Sequence, residues 1–314
     1  MKNPFVSDYW SKVKSLNHWN SYAFLIKENN NEFELLLMTK KIFCNYYIGY
    51  IPFSPVSIKS VNQISLNTFY SALRIIKKML KEKCILLKVD LPFEFVNVDI
   101  NKTKFRFSKE SIQPEATVRI DLTRSYDEIL SEYKKRAKRN LKKNEGIIET
   151  KEVEINDINI NLWYSIYQET AKRDGFSLRN LDYIKSVLYT NSDVNKKFIF
   201  SYKDGNLVGG LIIIYSEDLA IYLFGASKKL DKHSPSYSMQ DYAIYKLKEI
   251  GVKSYDFHGI GLDNKSSHLK SLTLFKTSFG GCVYKRPKTL DYPINKFMYL
   301  LYKAAEKIRN AIYR

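Results

Sequence analysis

The chain has 314 residues, 45% of them hydrophobic, and is long for a single core, so two domains are expected. Its formal charge of +18 points to polyanionic partners: nucleic acid, nucleotide-linked substrates or an anionic membrane surface. Three widely spaced cysteines (Cys44, Cys84, Cys282) exclude a disulfide framework and offer no metal pair, and no run reaches the roughly 18 apolar residues of a spanning helix. Met1 to Leu16 has no apolar core of a leader peptide, so a soluble cytoplasmic protein is expected.

In chain order, two apolar strands, Ala23 to Ile26 and Glu34 to Met38, flank the turn Glu28-Asn29-Asn30-Asn31. Tyr46 to Ile51 is an aromatic strand stopped by Pro52 and Pro55. A helix from Leu66 to Glu82, with Phe69, Leu73, Ile76 and Leu80 on one face, leads to the strand Ile85 to Asp90. Farther on, Asn101 to Glu115 is charged and irregular and Thr117 to Leu122 reads as a strand.

Ser125 opens a helix with a capping box (Glu128 three residues on), Asp127 lies in its first turn, and Gly146 ends it. Lys134, Lys135, Arg136, Lys138, Arg139, Lys142 and Lys143 surround its thin stripe of Ile129, Tyr133, Ala137 and Leu141. This is either a solvated charged face or a contact for a phosphate backbone. A helix from Ile158 to Asp174 turns Trp163, Ile166, Tyr167 and Thr170 inward.

The first order of elements then returns. Phe198 to Tyr202 and Leu207 to Tyr215 flank the turn Lys203-Asp204-Gly205-Asn206, and an aromatic strand at Ile221, a helix from Ser236 to Ile250 and a strand ending at Asp256 follow. The copies lie roughly 170 residues apart, far beyond a solenoid period, which suggests duplicated mixed α/β domains. A loop bearing Lys276 between Phe275 and Phe279 precedes the pair Gly280-Gly281. The last helix, Ile294 to Tyr313, is apolar at Phe297, Leu300, Leu301, Ala304, Ile308 and Ile312, with Lys303, Lys307, Arg309 and Arg314 around them. That stripe either docks on a domain or lies on a membrane surface.

No G-x-x-x-x-G-K-[ST] loop, G-x-G-x-x-G fingerprint or G-x-S-x-G elbow is present, and the four histidines have no metal spacing. His258, at a strand end, reads as a packed or hydrogen-bonded residue rather than a base. Duplicated strand-helix units suggest acyltransferases of the GNAT type. The R/Q-x-x-G-x-G/A loop before either crossover helix is missing, which argues against acetyl-CoA as the donor.

Several motifs together resemble the FemABX family of aminoacyl-tRNA-dependent transferases that build peptidoglycan cross-bridges. They are Tyr222-Leu223-Phe224-Gly225-Ala226-Ser227, Pro235-Ser236-Tyr237 with Gln240, Tyr255-Asp256-Phe257 with Gly259-Ile260, and Phe275-Lys276 with Phe279-Gly280-Gly281. Gly49-Tyr50-Ile51-Pro52, Asp90 near Pro92, Ile120-Asp121-Leu122, Arg139-Asn140 and Ala171 to Phe176 with Arg179 and Tyr183 agree in order along nearly the whole chain.

The resemblance implies two tandem GNAT-like domains, residues 1–116 with 288–314 and residues 117–287, and no long helical tRNA arm, since no segment between Leu181 and Tyr215 could hold one. It implies transfer of an amino acid from aminoacyl-tRNA to the side-chain amine of the diamino acid in a peptidoglycan stem peptide. Lys276 matches the family's oxyanion-stabilising lysine and Asp90 its candidate for orienting or deprotonating the amine. Lys14, Arg179, Tyr183, Tyr222 and Phe224 match acceptor-binding positions. Arg179 and Tyr183 are read as an i, i+4 pair on one helix face. Phe224 stands where a tyrosine is frequent, and Leu91 separates Asp90 from Pro92 where Asp-Pro is usual.

Within this reading Lys134, Lys135, Lys138, Arg139, Lys142 and Lys143 are the tRNA-contact candidates. No metal and no cofactor beyond the co-substrate aminoacyl-tRNA are expected. The acceptor is lipid II or a UDP-MurNAc-peptide, and a monomer with peripheral association at the inner membrane surface is expected. Two alternatives stay open: another acyl transfer on the same fold, to a protein or a lipid, and a non-catalytic basic protein that binds RNA or a membrane surface.

Overall fold

The computed structural model of the chain describes residues 3–58, 64–81, 83–93, 103–109, 111–261 and 267–312. In the first stretch α1 (Asp8–Ser15) is capped by the Ser7 hydroxyl and buries Tyr9, Trp10 and Val13. The strands β1 (Asn20–Glu28) and β2 (Asn31–Phe43) pair antiparallel around Asn29, whose φ of 53° is a conformation asparagine tolerates. Then come β3 (Tyr46–Ile51), the short β4 (Val56–Ser57), α2 (Leu66–Leu80), the wholly buried β5 (Cys84–Val89) and β6 (Arg106–Phe107). The helix α2 starts on the Ser65 cap and buries the expected Phe69, Leu73, Ile76 and Leu80; Glu82, its expected last residue, lies outside the described residues.

The chain continues through β7 (Ala116–Asp121), α3 (Tyr126–Ser131), α4 (Lys135–Asn144), β8 (Ile148–Glu152), α5 (Asp157–Asp174), α6 (Leu181–Tyr189) and the hairpin β9 (Asn195–Lys203) with β10 (Asn206–Tyr215). After β11 (Ala220–Ser227), α7 (Pro235–Glu249), β12 (Ser254–Asp256), α8 (Ser267–Lys276) and β13 (Cys282–Lys285), it ends in β14 (Leu290–Pro293) and α9 (Lys296–Ile312). Among the described residues no helix is longer than the 18 residues of α5, and none is long and apolar enough to cross a membrane.

Two compact units result. The first is Phe5–Gln113 with Arg286–Arg314, and the second is Pro114–Lys285 with Met1–Pro4. In the first, the sheet order is β1-β2-β3-β5-β14-β6, with β4 beside β2; in the second it is β13-β7-β12-β11-β10-β9-β8. The repeat is visible in both: an antiparallel hairpin (β1-β2, β9-β10), a third strand (β3, β11), a helical crossover (α2, α7) and a parallel return strand (β5, β12). In the first unit Phe69, Leu73 and Ile76 of α2 pack on Leu35, Leu37 and Leu87. In the second, Met239, Ala243 and Leu247 of α7 pack on Ile199, Leu211 and Ile213.

Two local expectations are corrected. The pattern from Ser125 to Gly146 is two helices, because Lys134 is extended (φ −71°, ψ 161°) and its N–H donates to the Ser278 carbonyl at 2.8 Å. A tertiary hydrogen bond thus overrides local helix propensity and makes Lys134 the N-cap of α4. The capping box at Ser125 and Glu128 is present and starts α3. In α9 the face that packs carries Met298, Tyr299 and Glu306, whereas Phe297, Leu300, Leu301, Ala304 and Ile308 face outward, so the apolar stripe does not dock on the fold. The side chains of Arg309, Ile312 and Arg314 lie outside the described residues.

Candidate active site

Lys276 is the last residue of α8 and runs directly into the 3-10 turn Thr277–Phe279, so it stands on a helix end rather than the loop expected. Aromatic packing fixes that end. Phe279 is fully buried and its ring lies 5.5 Å from Tyr237, 5.4 Å from Phe257 and 5.2 Å from Tyr133. Gly280 and Gly281 follow with φ of 78° and 77°. A Cβ on Gly281 would lie 2.4 Å from the Arg119 carbonyl oxygen, so the glycine pair is needed both for conformation and for close approach.

On the facing side, β12 ends at Asp256 and the chain turns through left-handed His258 (φ 49°) and Gly259 (φ 83°). Their carbonyls converge on the Lys276 ammonium, which donates to His258 at 2.5 Å and to Gly259 at 2.8 Å. The turn is held by Asp256. Its Oδ1 accepts from the Thr117 hydroxyl and the His258 N–H, and its Oδ2 from Arg119 Nε at 2.8 Å. His258 therefore serves through its backbone here. Lys276 is only 4% exposed, and burial pulls its amine down from 10.5 to about 7, partly countered by the Asp256 charge. Two of its three protons meet the carbonyls, and the Nζ lies 5.5 Å from the centre of the Tyr222 ring.

Tyr222 is placed by a bulge. In the β10–β11 pairing Ile212 faces Phe224 and Ile213 faces Tyr222, leaving Leu223 as the extra residue. Two residues apart in a regular strand, Tyr222 and Phe224 would share a face; the bulge sends them to opposite ones. The Tyr222 ring lies over Gly225, where a Cβ would come within 1.8 Å of its hydroxyl, and that hydroxyl bonds the Gln240 side chain. Gln240 in turn accepts from the Tyr255 hydroxyl at 2.5 Å. Phe224 instead meets Tyr167 at 6.0 Å and Tyr183 at 6.4 Å.

Arg179 precedes Asn180, the N-cap of α6, so it is not on a helix with Tyr183 as expected, yet its guanidinium sits 5.4 Å over the Tyr183 ring. Burial raises the Tyr183 hydroxyl to about 12. Arg179 itself is exposed, which leaves its fork available to an anion.

In the first unit Lys14 lies on α1, half-buried, with its ammonium 4.8 Å over the Trp10 ring. Asp90, just past β5, is fully buried. Its Oδ1 accepts from the Thr289 hydroxyl and from Arg286 Nη1 at 3.0 Å, and its Oδ2 from the Tyr50 hydroxyl at 2.6 Å. Arg286 also donates to the Pro287 and Gln113 carbonyls and stacks over Phe53. Sequence reading found Asp90 and missed Arg286 and Thr289, since neither the 196 residues between positions 90 and 286 nor any spacing signals the pair.

The basic helix α4 begins beside the turn that carries Lys276, through the Lys134–Ser278 hydrogen bond and the Tyr133–Phe279 ring contact. Asn144 ties its other end to α7, donating to the Ser234 carbonyl at 2.8 Å and the Ser238 hydroxyl at 2.9 Å. Lys135, Lys138, Arg139, Lys142 and Lys143 are exposed, and among the described residues none of them pairs with a carboxylate.

Two sheets built on one strand-helix plan, with a basic residue at the end of the crossover half, define a tandem GNAT-like fold. A solved structure described as FemX superposes with a TM-score of 0.78 at 19% identity, over 95% of this chain and 94% of that one. A tandem GNAT protein from the clavulanic acid biosynthesis pathway gives a TM-score of 0.56 at 10% identity, over 88% and 84%. The sequence model of the FemAB family matches residues 102–202 and 188–307, and the chain belongs to that family. Among curated relatives, the lipid II:glycine glycyltransferase of Staphylococcus aureus strain USA300 is 29% identical over 106 residues, 32% of this chain and 24% of that protein. The protein of the same name from strain MRSA252 is 24% identical over 159 residues, 47% and 37% respectively. The matches thus span between about a quarter and just over a third of the length of these relatives.

Proposed function

We propose that the protein transfers an amino acid from aminoacyl-tRNA to the side-chain amine of the diamino acid in a peptidoglycan precursor stem, with lipid II as the acceptor. Its relatives' name supports the acceptor, and the buried Lys276 supports the chemistry. The acceptor amine attacks the ester carbonyl, forming a C–N bond and a tetrahedral oxyanion. Collapse breaks the C–O bond to the tRNA ribose, and the proton lost by the amine ends on the released ribose hydroxyl. Lys276, held by two fixed carbonyls in a site poor in water, is a preorganised cation for the oxyanion.

The observation that carries this reading is that the basic helix and the lysine share one anchor, the Lys134–Ser278 bond. A polyanion lying along α4 would have its end beside Lys276. Arg179 and Tyr183 supply an anion fork and an aromatic wall for the acceptor in the same unit. In the first unit, Lys14 contributes a cation and Asp90 orients the amine through the groups it holds.

The test incubates the protein with tRNA charged with mixed amino acids and with lipid II or UDP-muramyl pentapeptide, and reads the intact mass of the muropeptides. A mass increase equal to one or more amino-acid residues, dependent on charged tRNA, is expected. No increase on either acceptor would sink the transferase reading.

Charge reversal of Lys138, Arg139 and Lys142 to Glu should raise the KM for aminoacyl-tRNA by at least about tenfold and flatten its dependence on salt, since fewer counterions would be released. Folding should be unaffected because these side chains are exposed. An unchanged KM would remove α4 from the tRNA path.

A further inference from the structure

The outward face of α9 is the feature that the transfer reaction leaves unexplained. This helix docks by charge. Lys88 of β5 pairs with Asp291 at 3.2 Å and Glu306 at 3.7 Å, Lys303 pairs with Asp291 at 3.5 Å and also with Glu306, and Tyr299 donates to Asp291 at 3.1 Å. Beside this network Met298 and Tyr299 pack on Ile85 and Leu86. The opposite face is apolar and solvent-exposed. Phe297 is 70% exposed, Leu300 63% and Ile308 61%, with Leu301 and Ala304 between them.

Positions 297, 300, 301, 304 and 308 follow the spacing of a single helix stripe, so the exposed residues form one ridge rather than scattered contacts. Lys296 and Lys307, both exposed, flank it. The β2–β3 hairpin adds a second element. Its tip exposes Ile42 and Phe43 after the exposed Lys40 and Lys41, and Phe43 stacks on Tyr46, which packs on the same cluster as Met298 and Tyr302.

We infer that the outer face of α9, with the β2–β3 tip beside it, is a membrane-docking surface that inserts its apolar ridge into an anionic bilayer while the lysines meet the headgroups. Charge selects this occupant. A second copy would bring another set of lysines and a further +18 to the same ridge, whereas an anionic lipid surface complements it. The inference goes beyond the transfer reaction and stands without it.

Co-sedimentation with vesicles of phosphatidylcholine, alone or mixed with phosphatidylglycerol, tests it. Partitioning to the mixed vesicles should exceed that to phosphatidylcholine by at least about tenfold at low salt. Phe297→Ser with Leu300→Ser should reduce it by more than about tenfold without altering the thermal melt, since neither residue is buried. Lys296→Glu with Lys307→Glu should lower it by about tenfold and remove the salt sensitivity. Equal partitioning to both lipids, or no effect of either double substitution, overturns the inference. So does a concentration-dependent dimer in sedimentation velocity that the serine variant dissolves while vesicles fail to bind.

Discussion

Lys276→Met should lower turnover by about 10²- to 10³-fold, with little change in the KM for the acceptor, because it removes the cation that meets the developing oxyanion. In free energy that is about 3–4 kcal/mol on the barrier, the range of one lost oxyanion donor. The charged form is the active one in this role, and burial places its titration at about 7. Turnover should therefore fall as pH rises through about 7, and the methionine variant should lack that limb.

Stability responds in the other sense. Between about 7 and 10.5 the unfolded chain holds a proton on Lys276 that the folded chain lacks, so folding stability rises with pH across that window. Below about 7 both states carry the proton and the burden of the buried charge is complete. Methionine removes this dependence, and its gain in melting temperature should be greatest at low pH. Normal turnover with a lowered melting temperature would make Lys276 a structural pin for the His258–Gly259 turn instead.

Arg286→Met should be the most destabilising single change in the first unit. It leaves the Asp90 carboxylate buried with only the Tyr50 and Thr289 hydroxyls, and breaking such a pair costs about 3–5 kcal/mol. A fall in melting temperature of about 10 °C is expected on that scale. Asp90→Asn should cost a comparable amount by stranding the guanidinium. The double variant should lose far less than the sum, since the isolated charge is then gone. Strict additivity would show that the pair is not coupled.

Activity adds a second readout, taken well below the melting transition. If Asp90 orients the acceptor amine, Asp90→Asn loses turnover beyond the loss in Arg286→Met. Equal losses would assign both residues to holding the strand end after β5.

How much of this was legible in the sequence follows from what each signal encodes. The twofold order of hairpin, strand, helix and strand was readable because periods of 2 and 3.6 are local properties of the chain. The Phe-Lys and Gly-Gly run likewise marked a helix end that could carry a buried lysine, although its helical state depends on the aromatic cluster around Phe279. The Ser125 capping box marked the start of α3, but not its end at Ser131, which a hydrogen bond from Lys134 to a residue 144 positions away decides.

The sequence by itself determined the elements, the duplication and which side chains share a face. Tertiary structure decided what each face meets. It paired Asp90 with Arg286, split Tyr222 from Phe224 through one unpaired residue at Leu223, and turned two backbone carbonyls onto Lys276. It also docked α9 through Lys88, Asp291 and Glu306 rather than through its leucines. The reason is common to all four. Periodicity fixes directions along one element, whereas a buried charge or a bulge takes its partner from wherever the fold brings one within hydrogen-bond reach.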